Sequence, residues 1–320
     1  MADCGILNPF LCGEIPIQEW TADGLRWLVD NYRPFFQSVK QPIDQVLQGF
    51  AVLFTATPPT VLIAVFGLFA WQLGGVRLAL VVAGSLVFCG VIGIWDATMI
   101  TVSIVLTALG LSILIGIPLG IWAARSDRAF KVMQPILDGM QTIPAFVYLV
   151  PVVMLFGIGN VPGVIVTVIF AVAPLIRLTN LGIRQVPGDV VEAMRAFGAS
   201  ERQLLWKAQV PLAMPSIMAG VNQTLMMSLS MVVIASMIAV GGLGQMVLRG
   251  IGRLDVGLAT VGGLGIVMLA IVLDRMTQAR SGVRRRPGDF WQQGPVGLVL
   301  RATGRSAVRR RPAGEAGRSA

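Results

Sequence analysis

At 320 residues, 55% of them hydrophobic and 13% charged, the chain reads as a polytopic membrane protein rather than a soluble enzyme. It has no histidine, and its three cysteines (Cys4, Cys12, Cys89) share no metal-ligand spacing, so neither a metal centre nor a Cys/His nucleophile is expected. The net charge of +9 belongs to one end: residues 281–320 hold nine arginines against Asp289 and Glu315, and residues 1–280 hold 16 basic against 14 acidic groups.

Residues 1–45 are polar and mildly acidic, and no basic region followed by an apolar core marks a cleavable signal peptide. Cys4 and Cys12 are expected as free thiols, with pairing open to them if this end is periplasmic. Ile17, Trp20, Leu28, Tyr32 and Phe35 fall near helical spacing with Trp27 alongside, which leaves open an amphipathic surface helix in part of this arm or a loosely folded tail. Seven spans follow, near 50–71, 76–95, 98–124, 140–158, 161–181, 212–240 and 256–274. They divide into two scaffold helices over 46–97 and a core over 98–280, followed by an Arg-rich tail at 281–320 in which Gly, Pro and Arg argue against a packed domain. The expected fold is all-α, a polytopic helix bundle of about seven transmembrane helices.

Proline recurs in or beside these spans at Pro58, Pro59, Pro118, Pro144, Pro151, Pro174 and Pro215, and Gly116 with Gly120 allows a close helix approach. Asp96, Asp138, Arg177 and Asp274 lie near span ends, where they read as structural anchors. In the sixth span Asn222, Gln223 and Thr224 make a polar step followed by Met226, Met227, Met231 and Met237, which suit either an adaptable pathway wall or plain packing. Phe146, Tyr148, Asn222 and Met226 are the candidates for a translocation path.

Lys and Arg set the orientation. With the N-terminus outside, the cytoplasmic loops hold nine basic residues and the tail eleven, against five on the outside. The N-terminus is therefore expected to be periplasmic and the C-terminus cytoplasmic. The tail's Arg284–Arg286 and Arg309–Arg311 then face an anionic leaflet, which leaves two readings open: a simply solvated disordered tail, or peripheral lipid contact.

The polar island EAMRAFGASERQLLWKAQVP, Glu192–Pro211, falls on the cytoplasmic side within a loop at 187–211. Pro187-Gly188 breaks the preceding helix, and Asp189 with Glu192 has the acceptor spacing that starts another. Gly198 stops it, as a glycine able to take φ > 0 does. Ser200 and Gln203 form a capping box for a second short helix bearing Leu204, Leu205 and Trp206, and Pro211 and Pro215 open the next span. The result is a helix–turn–helix pinned to spans at both ends.

No Walker A site can exist here, because Lys40, Lys131 and Lys207 are preceded by Val, Phe and Trp rather than glycine. Nor do the spans offer Ser/His/Asp, Cys/His or paired-carboxylate machinery. The chain is expected to be no enzyme, and any energy from ATP must come from a partner.

The island resembles the EAA loop of ABC importer permeases, with Glu192, Ala193, Gly198 and Pro211 matching, and Met194, Ala208 and Val210 replacing alanine, a larger aliphatic residue and leucine. Beyond it, the runs at 140–164, 211–226 and 232–255, together with IPIQEW, DGLRWLVDNYRPFFQ and GPVGL, resemble the permease of proline/glycine betaine importers of Gram-negative bacteria. The stretch from Leu300 to Ala320 departs from that pattern.

The resemblance implies a type I ABC importer permease fold in the bacterial inner membrane. It implies a homodimer with a second permease copy, a cytoplasmic ABC ATPase carrying ATP and Mg²⁺, a periplasmic substrate-binding protein, and no nucleic acid. It also implies ATPase coupling through Glu192, Ala193, Met194, Gly198, Ala199, Val210 and Pro211. Cofactors and metals are expected on the partner, not on this chain. Glycine betaine, proline betaine and proline are the implied substrates, with choline or carnitine as the alternative within the family. An ion-coupled secondary osmolyte transporter would show a central acid or a two-half repeat, and neither is visible.

Overall fold

The computed structural model describes residues 16–281, and these are helical with no strand among them. In chain order the helices are α1 (Ile17–Ala56), α2 (Pro59–Gly74), α3 (Val76–Val91), α4 (Trp95–Arg125), α5 (Asp127–Thr142), α6 (Leu149–Phe156) and α7 (Asn160–Arg184). They continue as α8 (Gly188–Ala196), α9 (Glu201–Leu204), α10 (Val210–Ala235), α11 (Leu243–Arg253) and α12 (Val256–Ser281), with a 3₁₀ turn at Ala145–Tyr148. The Arg-rich tail beyond 281 and the pair Cys4 and Cys12 lie outside the described residues.

Among the described residues four helices are long and apolar enough to cross a membrane: Trp95–Arg125, Asn160–Arg184, Glu201–Ile238 and Val256–Ala279. These match four of the expected spans, and Val76–Val91 is a shorter apolar helix where the second span was expected. The other two are not straight. The stretch 50–71 crosses a 111° bend between α1 and α2, and 140–158 crosses a 103° bend between α5 and α6.

Both bends have one cause. Thr57 and Ile143 each precede a proline and are held extended, at ψ 133 and ψ 129, because the ring of the next residue clashes with helical backbone there. Pro118, Pro174 and Pro215, by contrast, sit inside continuous helices. Prolines that look alike in the sequence thus act in two ways.

The centre of the bundle is α7, packed between α4 and α10. Val164, Val166, Ala171, Ala173 and Leu175 on α7 are fully enclosed. Contact is close because glycines face it: a methyl group at Gly120 would lie 2.5 Å from Cβ of Thr179 and 2.9 Å from the Ile176 carbonyl. The Gly116–Gly120 pair singled out in the sequence is therefore the α4–α7 contact, and Gly220 of α10 meets Leu175 from the other side.

One end of the bundle is stitched by loop hydrogen bonds: Gly241 N–H donates to Asn160 Oδ1 (2.8 Å) and Leu243 N–H to Thr101 Oγ1 (2.9 Å). At the N-terminal side α1 runs through position 45 without a break, so the polar arm and the first span share one helix. Lys40 Nζ donates to the Phe156 carbonyl at 2.9 Å and Phe36 meets Phe156 edge-on, fastening that helix to the end of α6.

Candidate functional site

The island between α7 and α10 folds as two short helices whose turn is specified by local chemistry. α8 begins at Gly188 with Pro187 as its N-cap and no side-chain cap, so the Asp189/Glu192 start expected from spacing is not used. The proline supplies the start instead, because its fixed φ already suits a helix entry. Asp189 still sits in the first turn, where a negative charge complements the helix dipole.

α8 closes on Gly198 at φ +78. Gly198 N–H donates to the Arg195 carbonyl (2.9 Å) and Ala199 N–H to the Met194 carbonyl (3.0 Å), the paired bonds of a Schellman turn. The expected capping box follows at once: Gln203 N–H donates to Ser200 Oγ (3.3 Å) and Ser200 N–H to Gln203 Oε1 (3.0 Å). Arg195 Nε donates to Glu201 Oε1 at 3.1 Å and bridges the two helices. Caps of this kind are worth about 1 kcal/mol each, so the turn keeps its shape with little burial.

Little is buried on the first half. α8 has no buried residue, Glu192 and Ala193 are exposed, and Met194 and Ala199 are half-buried. Phe197, at the tip, is 91% exposed and Trp206 56%. A side chain at Gly198 would meet no atom of this chain within 4 Å. Within this chain its constraint is the left-handed backbone alone.

The second half is rooted firmly. Leu204, Leu205 and Ala208 are buried. A π-helical turn, Leu205–Gln209, joins α9 to α10, and Val210 N–H donates to the Leu205 carbonyl. The sequence places a break at Pro211, but α9 and α10 form one continuous helix. The wider turn accommodates a proline ring that an uninterrupted α-helical ladder would clash with. Val210 is half-buried and Pro211 exposed. Glu192, Ala193, Met194, Gly198, Ala199, Val210 and Pro211 are thus brought into one hairpin and its root.

The pathway candidates lie on two elements. Phe146, 57% exposed, and Tyr148 form the 3₁₀ turn beside the Ile143–Pro144 break, and Tyr148 Oη donates to the Gly139 carbonyl at 3.3 Å. Asn222 accepts from Thr277 Oγ1 at 2.7 Å and so faces α12, while Met226 is exposed one turn further along α10. No hydrogen bond links the two pairs among the described residues.

Sequence reasoning missed Arg184, the last residue of α7. It pairs with Asp127 at 2.7 Å, and the expected anchors Arg177 and Asp138 pair with each other at 2.6 Å. The signal was spacing: the two arginines are seven apart on α7 and the two acids eleven apart on α5, each set on one helix face.

Comparison with known proteins gives a consistent picture. A profile of the family described as "binding-protein-dependent transport system inner membrane component" matches residues 116–279. The glycine betaine/proline betaine transport system permease protein ProW of Escherichia coli K12 is 61% identical over 298 residues, 92% of this chain and 84% of that one. The glycine betaine/carnitine transport permease protein GbuB of Listeria monocytogenes is 44% identical over 273 residues, covering 83% of this chain and 95% of its own. Among solved structures, an inward-facing conformation of the MetNI methionine ABC transporter matches with a TM-score of 0.51 at 20% identity, covering 60% of this chain and 96% of that one. That likeness concerns the fold.

Proposed function

Because this chain belongs to the binding-protein-dependent family of inner-membrane transport permeases, we propose that it moves glycine betaine and proline betaine through the membrane for an ATP-driven importer. The observation that carries the substrate is the 61% identity to a permease of that name across 92% of the chain. The fold is that of an ABC importer permease, which works with an ATPase and a binding protein and is not itself an enzyme.

In this reading two copies of the chain form the pathway. The N-terminus is periplasmic and the C-terminus cytoplasmic, in keeping with the Lys and Arg distribution. ATP and Mg²⁺ are held by the partner ATPase. The 187–211 hairpin is the surface that ATPase engages: its Phe197 and Trp206 are large apolar groups left exposed while Leu204 and Leu205 are buried. Selectivity rests mainly on the binding protein, and the chain supplies alternating access.

Reconstitution tests this directly. Proteoliposomes holding the chain with its cognate ATPase and binding protein are expected to accumulate labelled glycine betaine only when all three components and ATP are present. Proline, choline and carnitine serve as competitors. Uptake by the chain alone would overturn the ATP-driven reading. Uptake that prefers carnitine or choline would overturn the substrate.

A further inference from the structure

Arg184 stands three residues before Pro187, where α8 begins. Its guanidinium reaches three helices at once. Nη1 pairs with Asp127 Oδ1 at 2.7 Å in the first turn of α5, and Nη2 donates to the Ala123 carbonyl at 3.0 Å in the last turn of α4. Nε donates to Asn180 Oδ1 at 2.8 Å on α7 itself, and Phe130 of α5 lies with its ring centroid 5.4 Å from Cζ. The Ala123 carbonyl belongs to the helix end that has no intrahelical donor, so Arg184 caps α4 as well as pairing with α5. A planar fork of donors is suited to this; a point charge is not.

The second pair repeats the tie further along. Arg177 and Asp138 meet at 2.6 Å, so α5 and α7 run antiparallel with two ionic rungs between them. Asp127 and Asp138 are 78% and 52% exposed, and exposed pairs are individually weak. They matter here because they fix the register of α5 on a small apolar seam, in which Met133, Leu137 and Met140 pack against Val172, Ala173 and Ile176 of α7. Its position is set largely by what α7 holds. Beyond α5 lie the Ile143–Pro144 break and the turn bearing Phe146 and Tyr148.

We propose that Arg184, with Arg177 as a second rung, is a positioning residue that passes movement of the 187–211 hairpin onto α5 and thence to the Ile143–Pro144 break. The proposal rests on the reading of that hairpin as the ATPase contact. Displacing α8 tilts the end of α7. The Arg184 fork drags the α4–α5 corner with it, and α5 moves as a lever on the broken span.

The test uses the full complex in proteoliposomes, with ATP hydrolysis and uptake measured in the same preparation. Arg184→Gln is expected to keep membrane abundance and ATPase co-purification while substrate imported per ATP falls about fivefold or more, the usual lower range for coupling between sites. Arg184→Lys, which keeps the charge and loses the fork, recovers part of the loss. Arg177→Asp lowers the ratio too, and adding Asp138→Arg to it restores the rung and the ratio.

Spin labels on Ala193 of the hairpin and on exposed Ile136 of α5, each measured against a label on Leu264 of α12, give a second readout. In the unmodified rungs both distances change with nucleotide; in Arg184→Gln only the hairpin distance does. An α5 distance indifferent to nucleotide while the hairpin moves would overturn the proposal, as would an unchanged ratio in Arg184→Gln. A hairpin that never responds would instead overturn the ATPase-contact reading on which the proposal stands.

Discussion

Helices α7 and α12 are comparable in length and both apolar enough to span a membrane, yet 67% of the apolar window of α7 is buried inside the chain against 28% for α12. In a bilayer, lipid tails are as apolar as leucine, so hydrophobicity alone draws no helix inward. What separates the two is how many faces are packed. α7 receives Gly116 and Gly120 of α4 on one side and Gly220 of α10 on the other, whereas α12 is approached closely on one side, through Gly250, Gly262 and Gly265, while Gly263 faces open space and Val267 beside it is exposed. The centre of the bundle is packed from both sides, and the periphery keeps one apolar face uncovered.

The comparison breaks most visibly at Gly120. Gly120→Leu must force α4 from α7 against the Ile176 backbone and Thr179, an overpacking cost of about 1–3 kcal/mol or more because backbone cannot yield as a side chain does. Folded permease in the membrane is expected to fall sharply, whereas Gly263→Leu on α12 leaves it near normal. Equal loss from both, measured by abundance and thermal stability after extraction, would end the distinction.

Gly198→Asp comes next and sharpens the contrast between the core and the proposed docking surface. Within this chain the new side chain meets only the left-handed backbone penalty, about 1–2 kcal/mol, because nothing lies within 4 Å. Abundance should drop modestly while ATPase co-purification and uptake are lost. Normal transport by a well-expressed Gly198→Asp protein would refute docking at this turn.

A smaller effect is expected for Thr277→Val, which removes the donor to Asn222 and so loosens α12 on α10. A net loss of about 1 kcal/mol is the ordinary scale for such a bond. Thermal stability should fall slightly with transport retained. If transport collapses while stability holds, Asn222 serves the pathway and not the helix contact.

Glu192→Ala is the mildest. Glu192 is exposed and makes no hydrogen bond or ion pair among the described residues, so chain stability should change by less than about 0.5 kcal/mol. Any larger loss of uptake then measures a contact with the ATPase, and co-purification of the two proteins reads it.

The hairpin was legible because its determinants are neighbours in sequence: Pro187-Gly188 marks the break, Gly198 the stop and the Ser200/Gln203 spacing the restart, although the helix starts on Pro187 and not on the Asp189/Glu192 acceptor. Four long spans were legible from hydropathy for the same local reason. What escaped was tertiary. Thr57–Pro58 and Ile143–Pro144 bend the chain while Pro118, Pro174 and Pro215 are absorbed, an outcome that the prolines themselves do not distinguish. α11 falls between the expected spans 212–240 and 256–274, where no element is predicted although Leu243, Met246, Val247 and Gly250 recur at helical spacing. The Arg184 contacts join positions up to 61 residues apart, so the matched spacing on α5 and α7 becomes readable only once those two helices are known to be neighbours.

The π-helical turn at Leu205–Gln209 has a consequence for direction. Each residue of a helix advances its azimuth by about 100° and its height by about 1.5 Å, so one residue more or fewer in a turn changes where everything upstream points. The hairpin is continuous with α10 through that turn, and the heading of Phe197 is therefore fixed by how many residues stand between Leu204 and Val210. Deleting one of them would leave every cap and turn of the hairpin intact and swing it about 100° around the α10 axis. By the same geometry, a hairpin held fast by a partner would turn α10 about its own axis when the partner moves, as a key turns its shaft.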